Sequence, residues 1–180
     1  LSPPPEGVVR FTVGQPDFRT PQPVVDSAVI ALEAGMHGYT RSQGTESACK
    51  SVAEHLSKYG IDVDHNDVVI SPGCKQALLY AMMTCLNPGD EVILLSPAWP
   101  SYEGMLSLIG AVPVNVPVNR HNYHPDMDAI RSAITPKTKA IMVNSPNNPT
   151  GAVYLPSEIK ELTDIALSLI HISEPTRRTP

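Results

Sequence analysis

The sequence predicts an α/β fold built on a mainly parallel sheet with helices on both faces. Three observations lead there. Short apolar runs alternate with longer segments of helical periodicity. The clearest runs are unbroken by polar residues, which is the pattern of strands buried on both faces. Proline, at 19 of 180 residues, is about twice its average usage. Apart from Pro3-Pro4-Pro5 it stands singly between apolar runs, so it punctuates elements and forms no polyproline tract.

Each element follows from its own residues. Pro23 to Ala34 has helical apolar spacing and stops at Gly35. Thr45 to Tyr59 gives a more polar helix ending at Gly60. Val68 to Ser71 reads as a short buried strand. Lys75 to Leu86 is helical and is stopped by Asn87-Pro88-Gly89-Asp90, a strong turn signal. Glu91 to Ser96 is a second buried strand, ended by Pro97. Ser101 to Ile109 is helical up to Gly110. Ala111 to Val118 is a strand interrupted by prolines, which suits a sheet edge. Pro125 to Ile134 is helical, with Asp126 and Asp128 where the helix dipole favours them. Lys139 to Asn144 is a further strand, and Ser157 to Ala166 begins an amphipathic helix with Ile159, Leu162 and Ile165 on one face. No internal repeat and no linker-like tract appears.

Composition narrows the function. Hydrophobic residues make up 42% and charged residues 17%, which is globular. Val92 to Leu95 is the longest aliphatic run, too short to cross a bilayer. A net charge of −5 without clustered cations argues against nucleic-acid binding. Cys49, Cys74 and Cys85 lack CxxC spacing and are odd in number, which fits a reducing, cytoplasmic compartment. The scattered histidines carry no HExxH pattern, so no metal site is expected.

In parallel α/β sheets, ligands collect at the carboxyl ends of strands. Three turns occupy those ends. Ser71-Pro72-Gly73-Cys74-Lys75-Gln76 opens straight into a helix, whose free N–H groups and positive dipole end suit an anion. It matches neither a Walker loop nor a GxGxxG fingerprint, and by itself it reads first as an ordinary strand-to-helix turn. Pro97-Ala98-Trp99-Pro100-Ser101-Tyr102 holds the chain's single Trp. Its ring offers a flat face to an aromatic ligand, or else packs in a core or an interface. Asn147-Asn148-Pro149-Thr150-Gly151 supplies two amides in a rigid turn, as ligand donors or as a plain Asx-type turn. Gly14-Gln15-Pro16-Asp17-Phe18 precedes the first helix, and Tyr39-Thr40-Arg41-Ser42-Gln43-Gly44 the second.

Taken in order, GQPDFxTP, YTxxQG, PGCKQAL, NPGDEV, SPAWPSY and NSPNNPTG resemble the class I/II aminotransferases of the pyridoxal-phosphate fold type I group. The resemblance runs from about Phe11 to Ala166. It implies the three-layer large domain of that group, with a mainly parallel mixed sheet that is incomplete in this chain. The implied cofactor is pyridoxal 5'-phosphate. The implied reaction moves an amino group between an L-amino acid and a 2-oxo acid. By the same resemblance, Gly73, Cys74 and Lys75 match the turn that holds the cofactor phosphate. Trp99 matches the aromatic residue stacked on the pyridine ring. Asn148 matches the donor to the ring's phenolic oxygen, which also helps hold the substrate carboxylate, and Gly14 matches a backbone contact to that carboxylate. Tyr39 matches the residue that reaches the phosphate in a neighbouring subunit, which implies a homodimer with a shared site.

The sequence departs from the family at Ala48-Cys49, where Leu-Arg is common, and at Leu155, where a Ser or Thr cap often precedes the Pro. Both bear on packing and helix start, not on chemistry. Cys74 opens a helix, but no His/Asn constellation follows to make it a catalytic thiol. In the family the lysine that carries the cofactor aldehyde, the Asp under the ring nitrogen and the carboxylate-binding Arg all lie beyond NPTG. Lys50, Lys58, Lys75, Lys137, Lys139 and Lys160 lack the matching context, so no catalytic residue is assigned and the isolated chain is expected to be inactive. Missing neighbours would also leave sheet edges exposed, and poor solubility or molten behaviour is expected. Two alternatives stand beside the transferase: a pyridoxal-phosphate lyase of the same fold, and an aminotransferase-like sensor domain of a regulator. YTRSQG and SPAWPSY favour the enzyme over the sensor.

The ends carry their own signals. Leu1-Ser2-Pro3 shows neither an initiator Met nor signal-peptide layout. Leu167 to Arg177 resembles an in-frame translation of a transposase-type sequencing-library adapter. The expected organisation is therefore residues 1–166 as the N-terminal arm and first half of the cofactor-binding large domain, and residues 167–180 as a non-native tail.

Overall fold

The computed structural model describes residues 5–9, 14 and 17–173. In chain order the elements are α1 (Gln22–Glu33), α2 (Glu46–Ser57), a 3₁₀ turn (His65–Asp67), α3 (Cys74–Cys85), β1 (Glu91–Ser96), α4 (Ser101–Ile109), β2 (Val112–Pro117), α5 (Met127–Ala133), β3 (Thr138–Met142) and α6 (Pro156–Ser173). They divide into two compact units, Leu1–Val69 and Ile70–Pro180.

The first unit is helical. Thr45 caps α2 by accepting from the Ala48 N–H at 3.3 Å. Cys49, one of the family departures, is fully buried on α2 and donates its Sγ–H to the carbonyls of Gln43 and Val68. The small thiol thus packs where the family often carries a longer side chain. No residue of α1 is buried.

In the second unit the strands lie in the order β2-β1-β3, all parallel. β1 is central, and its alternate side chains feed two cores. Val92 and Leu94 pack with Met82 of α3, with Leu86 just past its end, and with Tyr102, Met105 and Leu106 of α4. Ile93 and Leu95 pack on the other face with Ile130, Leu162 and Ile165 from α5 and α6. Helices thus cover both faces of the sheet, in the three layers the sequence predicts. β2, with Pro113 and Pro117, is an edge strand, as its prolines require.

One expectation is corrected. Val68 to Ser71 is not a strand. Val68 is extended (φ −92°, ψ 130°), but the segment joins no ladder among the described residues, and Val69 and Ile70 are exposed. An apolar run becomes a strand only where a neighbour takes its backbone hydrogen bonds. The helix that the sequence begins at Ser157 runs from Pro156 to Ser173. Neither Gly nor Pro interrupts residues 167–173, and the next proline is Pro175. The start of α6 is secured without a Ser or Thr cap. Pro156 occupies the first helical position, and Glu158 Oε2 accepts from the Leu155 N–H at 2.6 Å, half of a capping box. The same carboxylate pairs with His124 Nδ1 at 2.8 Å, tying the segment before α5 to the start of α6.

Candidate functional site

The three turns named from the sequence all belong to the second unit. At the start of α3, Gly73 is the cap residue, with φ +91°. Nothing lies within 4 Å of a Cβ placed there, so backbone conformation, not space, calls for glycine. The first N–H groups of α3 have no helical acceptor, and the turn that carries them is exposed. Cys74 and Lys75 are exposed beside them.

Beyond β1 the chain passes a cis Ser96–Pro97 bond and reaches Trp99. Trp99 is half-buried and meets the buried Tyr102 edge to face at 5.4 Å. Lys75 Nζ lies 5.2 Å from the centre of the Trp99 ring, which joins the first turn to the second. Burial, with a smaller electrostatic contribution from Cys74, holds the Tyr102 phenol above its ordinary pKa.

Beyond β3, the Ser145–Pro146 and Asn148–Pro149 bonds are both cis. Asn147 is buried, with its N–H on the Ala152 carbonyl and its carbonyl accepting from the Gly151 N–H. Its side-chain amide donates to the Pro97 carbonyl at 3.2 Å and to Thr150 Oγ1 at 2.9 Å. The third turn is thereby joined to the second. Asn148 is exposed next to it. In the amide orientation that satisfies both of its groups, Asn144 accepts from the Asn148 N–H at 3.1 Å.

Two contacts, Lys75 with Trp99 and Asn147 with Pro97, therefore link the start of α3, the Trp99 turn and the turn that carries the exposed Asn148. A cavity of about 520 Å³ adjoins this cluster between α3 and α4, lined mainly by Pro72, Lys75, Gln76, Leu79, Ser101, Met105 and Leu108. It shares Lys75 with the first turn, and neither Trp99 nor Asn148 lines it. Gly14 and Tyr39 belong to the first unit, where both are exposed, Tyr39 completely. Gln15 and Pro16 of the GQPDF segment, and residues 174–180, lie outside the described residues. Asn147 is one of the two amides of the third turn, and the sequence alone gives it no separate role. The signal in the sequence is the doubled Asn before Pro149; burial then sets Asn147 inside and Asn148 outside.

A family model described as aminotransferase class I and II matches residues 6–172. This chain belongs to that family. It is 41% identical over 162 residues to a probable aspartate/prephenate aminotransferase of Thermus aquaticus, covering 89% of this chain and 42% of that protein. It is 40% identical over 164 residues to an aspartate aminotransferase of Thermotoga maritima, covering 89% and 43%. Among solved structures, the aspartate aminotransferase from Thermus thermophilus with maleate superimposes with a TM-score of 0.84 at 41% identity, over 88% of this chain and 42% of that one. The chain spans about two fifths of the length of the curated relatives it matches.

Proposed function

We propose that this chain is the cofactor-gripping part of a pyridoxal 5'-phosphate-dependent aminotransferase, which moves an amino group between an L-amino acid and a 2-oxo acid. The observation that carries the reading is the linkage of the three turns, Lys75 to Trp99 and Asn147 to Pro97. The residues fit the cofactor's chemistry. The unpaired N–H groups of Cys74 and Lys75, with the Lys75 ammonium, suit a phosphate dianion. The Trp99 face suits a pyridine ring. Lys75 lies over that face in this structure, but an exposed cation–π contact is worth only about 0.5–1 kcal/mol and yields to an anion. The Asn148 amide, exposed and held at its backbone by Asn144, suits a phenolic oxygen and a substrate carboxylate. When bound, the cofactor supplies an electron sink for the substrate's Cα. The chain's own residues bind and orient: Trp99 fixes the ring plane, the α3 start fixes the phosphate, and Asn148 favours the ionised oxygen.

Gly14 is assigned to the substrate carboxylate and Tyr39 to the phosphate of a second subunit, in a cytoplasmic homodimer. The relatives named for aspartate make L-aspartate the first donor to test. In the complete protein, Asn148→Ala should weaken cofactor or transition-state binding by roughly 1–3 kcal/mol. Titration with pyridoxal phosphate and an assay of amino transfer from aspartate to a 2-oxo acid measure it. Unchanged affinity and turnover would remove the role of Asn148.

A further inference from the structure

We propose that Asn147 is a positioning residue of the cofactor site: its buried amide locks the Asn148 turn to the Trp99 turn. The inference rests on the amino-transfer reading above and adds a residue that the reading does not need.

Apart from the Cys49 thiol and the phenols of Tyr102 and Tyr154, Asn147 carries the one buried polar side chain among the described residues, at 5% exposure. Burying an amide is unfavourable unless its groups are paired. Here both donors are used, and they go to different places. Thr150 Oγ1 lies within its own turn, whereas the Pro97 carbonyl belongs to the turn after β1, fifty positions away in sequence. The backbone of Asn147 is satisfied separately by Gly151 and Ala152. The turn is therefore closed without the side chain, and the reach to Pro97 adds nothing to its local conformation. What it adds is a fixed relation between two neighbours. Asn148 is the next residue, one 3.8 Å Cα step away. Trp99 stands two residues after Pro97, and its carbonyl accepts from Tyr102 N–H in the first turn of α4. Asn144 holds the backbone of Asn148 from the β3 side. With Asn147 in place, the amide that addresses the ring oxygen and the indole that addresses the ring face move as one body. An apolar residue of similar size would fill the space but would let the two turns slide. A displacement of about 1 Å at such a site is enough to cost up to about a hundredfold in rate.

The test uses the complete protein with Asn147→Ala, Asn147→Asp and a control, Leu162→Ala, which opens the other core on α6. Three quantities are read: pyridoxal phosphate affinity, the pH midpoint of the bound cofactor's visible absorbance, and the melting temperature without cofactor. Asn147→Ala should weaken affinity about tenfold and raise the absorbance midpoint by about half a unit, because a loosened Asn148 stabilises the ionised oxygen less. Leu162→Ala should lower the melting temperature at least as much and leave affinity and midpoint unchanged. If Asn147→Ala does not fold, Asn147→Asp keeps the size but turns an acceptor toward the Pro97 carbonyl, and the same two shifts are expected. Wild-type affinity and midpoint in a folded Asn147 variant would overturn the proposal. Failure of the wild-type protein to bind pyridoxal phosphate would instead overturn the amino-transfer reading, and this inference with it.

Discussion

The two units use similar apolar residues in opposite ways. In the first, Val24, Val29, Ile30 and Leu32 of α1 face solvent, and Cys49 and Val68 are the buried hydrophobic residues among those described. In the second, β1 alone buries Val92, Ile93, Leu94 and Leu95 between two helical layers. A strand inside a three-layer arrangement presents both faces to cores, whereas a lone helix buries a face only when a neighbour meets it. The hydrophobic driving force of this chain is therefore concentrated around β1, the strand that leads into the Trp99 turn.

The sharpest test of that contrast is a pair of isoleucines. Ile93 is fully buried and Ile30 is 65% exposed. In this chain, Ile93→Ala should cost about 2–5 kcal/mol by transfer and cavity terms. Ile30→Ala should stay within about 0.5 kcal/mol. Denaturant unfolding of both variants measures the difference. Comparable losses would mean that α1 is buried in solution and that the contrast is false.

A helix-cap pair gives a smaller effect. Thr45 caps α2 in the first unit at 3.3 Å, and Asp126 caps α5 in the second at 3.0 Å. Each change to Ala should cost about 1 kcal/mol, with Asp126→Ala the larger because its charge also meets the helix dipole. The two losses should differ in reach. α5 anchors the fully buried Ile130 in a core shared with β1 and α6, so amide exchange should quicken across the second unit. For Thr45→Ala, quickened exchange should stay within residues 46–68. Spread of that effect into β1 would show that the units open together.

The contrast also explains what the sequence revealed. Strand β1, the turn at Asn87–Asp90 and the helices α1 to α5 were readable because local chemistry fixes them: continuous apolar runs, Gly stops, Pro breaks. The segment at Val68 to Ser71 misled because strand formation depends on a partner, which a local pattern does not encode. The candidate site was readable as three separate turns, and each alone was ambiguous. Their order supplied the family resemblance. The links between them, Lys75 over Trp99 and Asn147 on Pro97, are long-range contacts with no local signature. The resemblance singles out Asn148, but the supporting place of Asn147 shows only in its burial and its bond to Pro97.

The smallest expected effect divides the units by pH. In the first, the hydrogen bond from Lys50 holds the Glu46 carboxyl below its ordinary pKa, and the backbone N–H of Asn66 does the same for Asp64. A lowered folded-state value gives stabilisation that is present above the ordinary carboxylate pKa and is lost as pH falls through the lowered one. In the second unit, burial raises the phenols of Tyr102 and Tyr154, with the charges on Cys74 and Glu158 adding to it. A raised value works in the other direction: the contribution is complete below the ordinary phenol pKa near 10 and is lost as pH rises through the raised one. Trp99, the chain's single Trp, reports on the second unit by its fluorescence, and the amides of Ala48 and Asn66 report on the first by hydrogen exchange. On acidification the Ala48 and Asn66 amides should lose protection before Trp99 emission changes. On raising the pH above about 10, Trp99 emission should change first. Both probes moving together at each limit would mean that the chain unfolds as a single body, because neither set of ionisations would then act on its own unit.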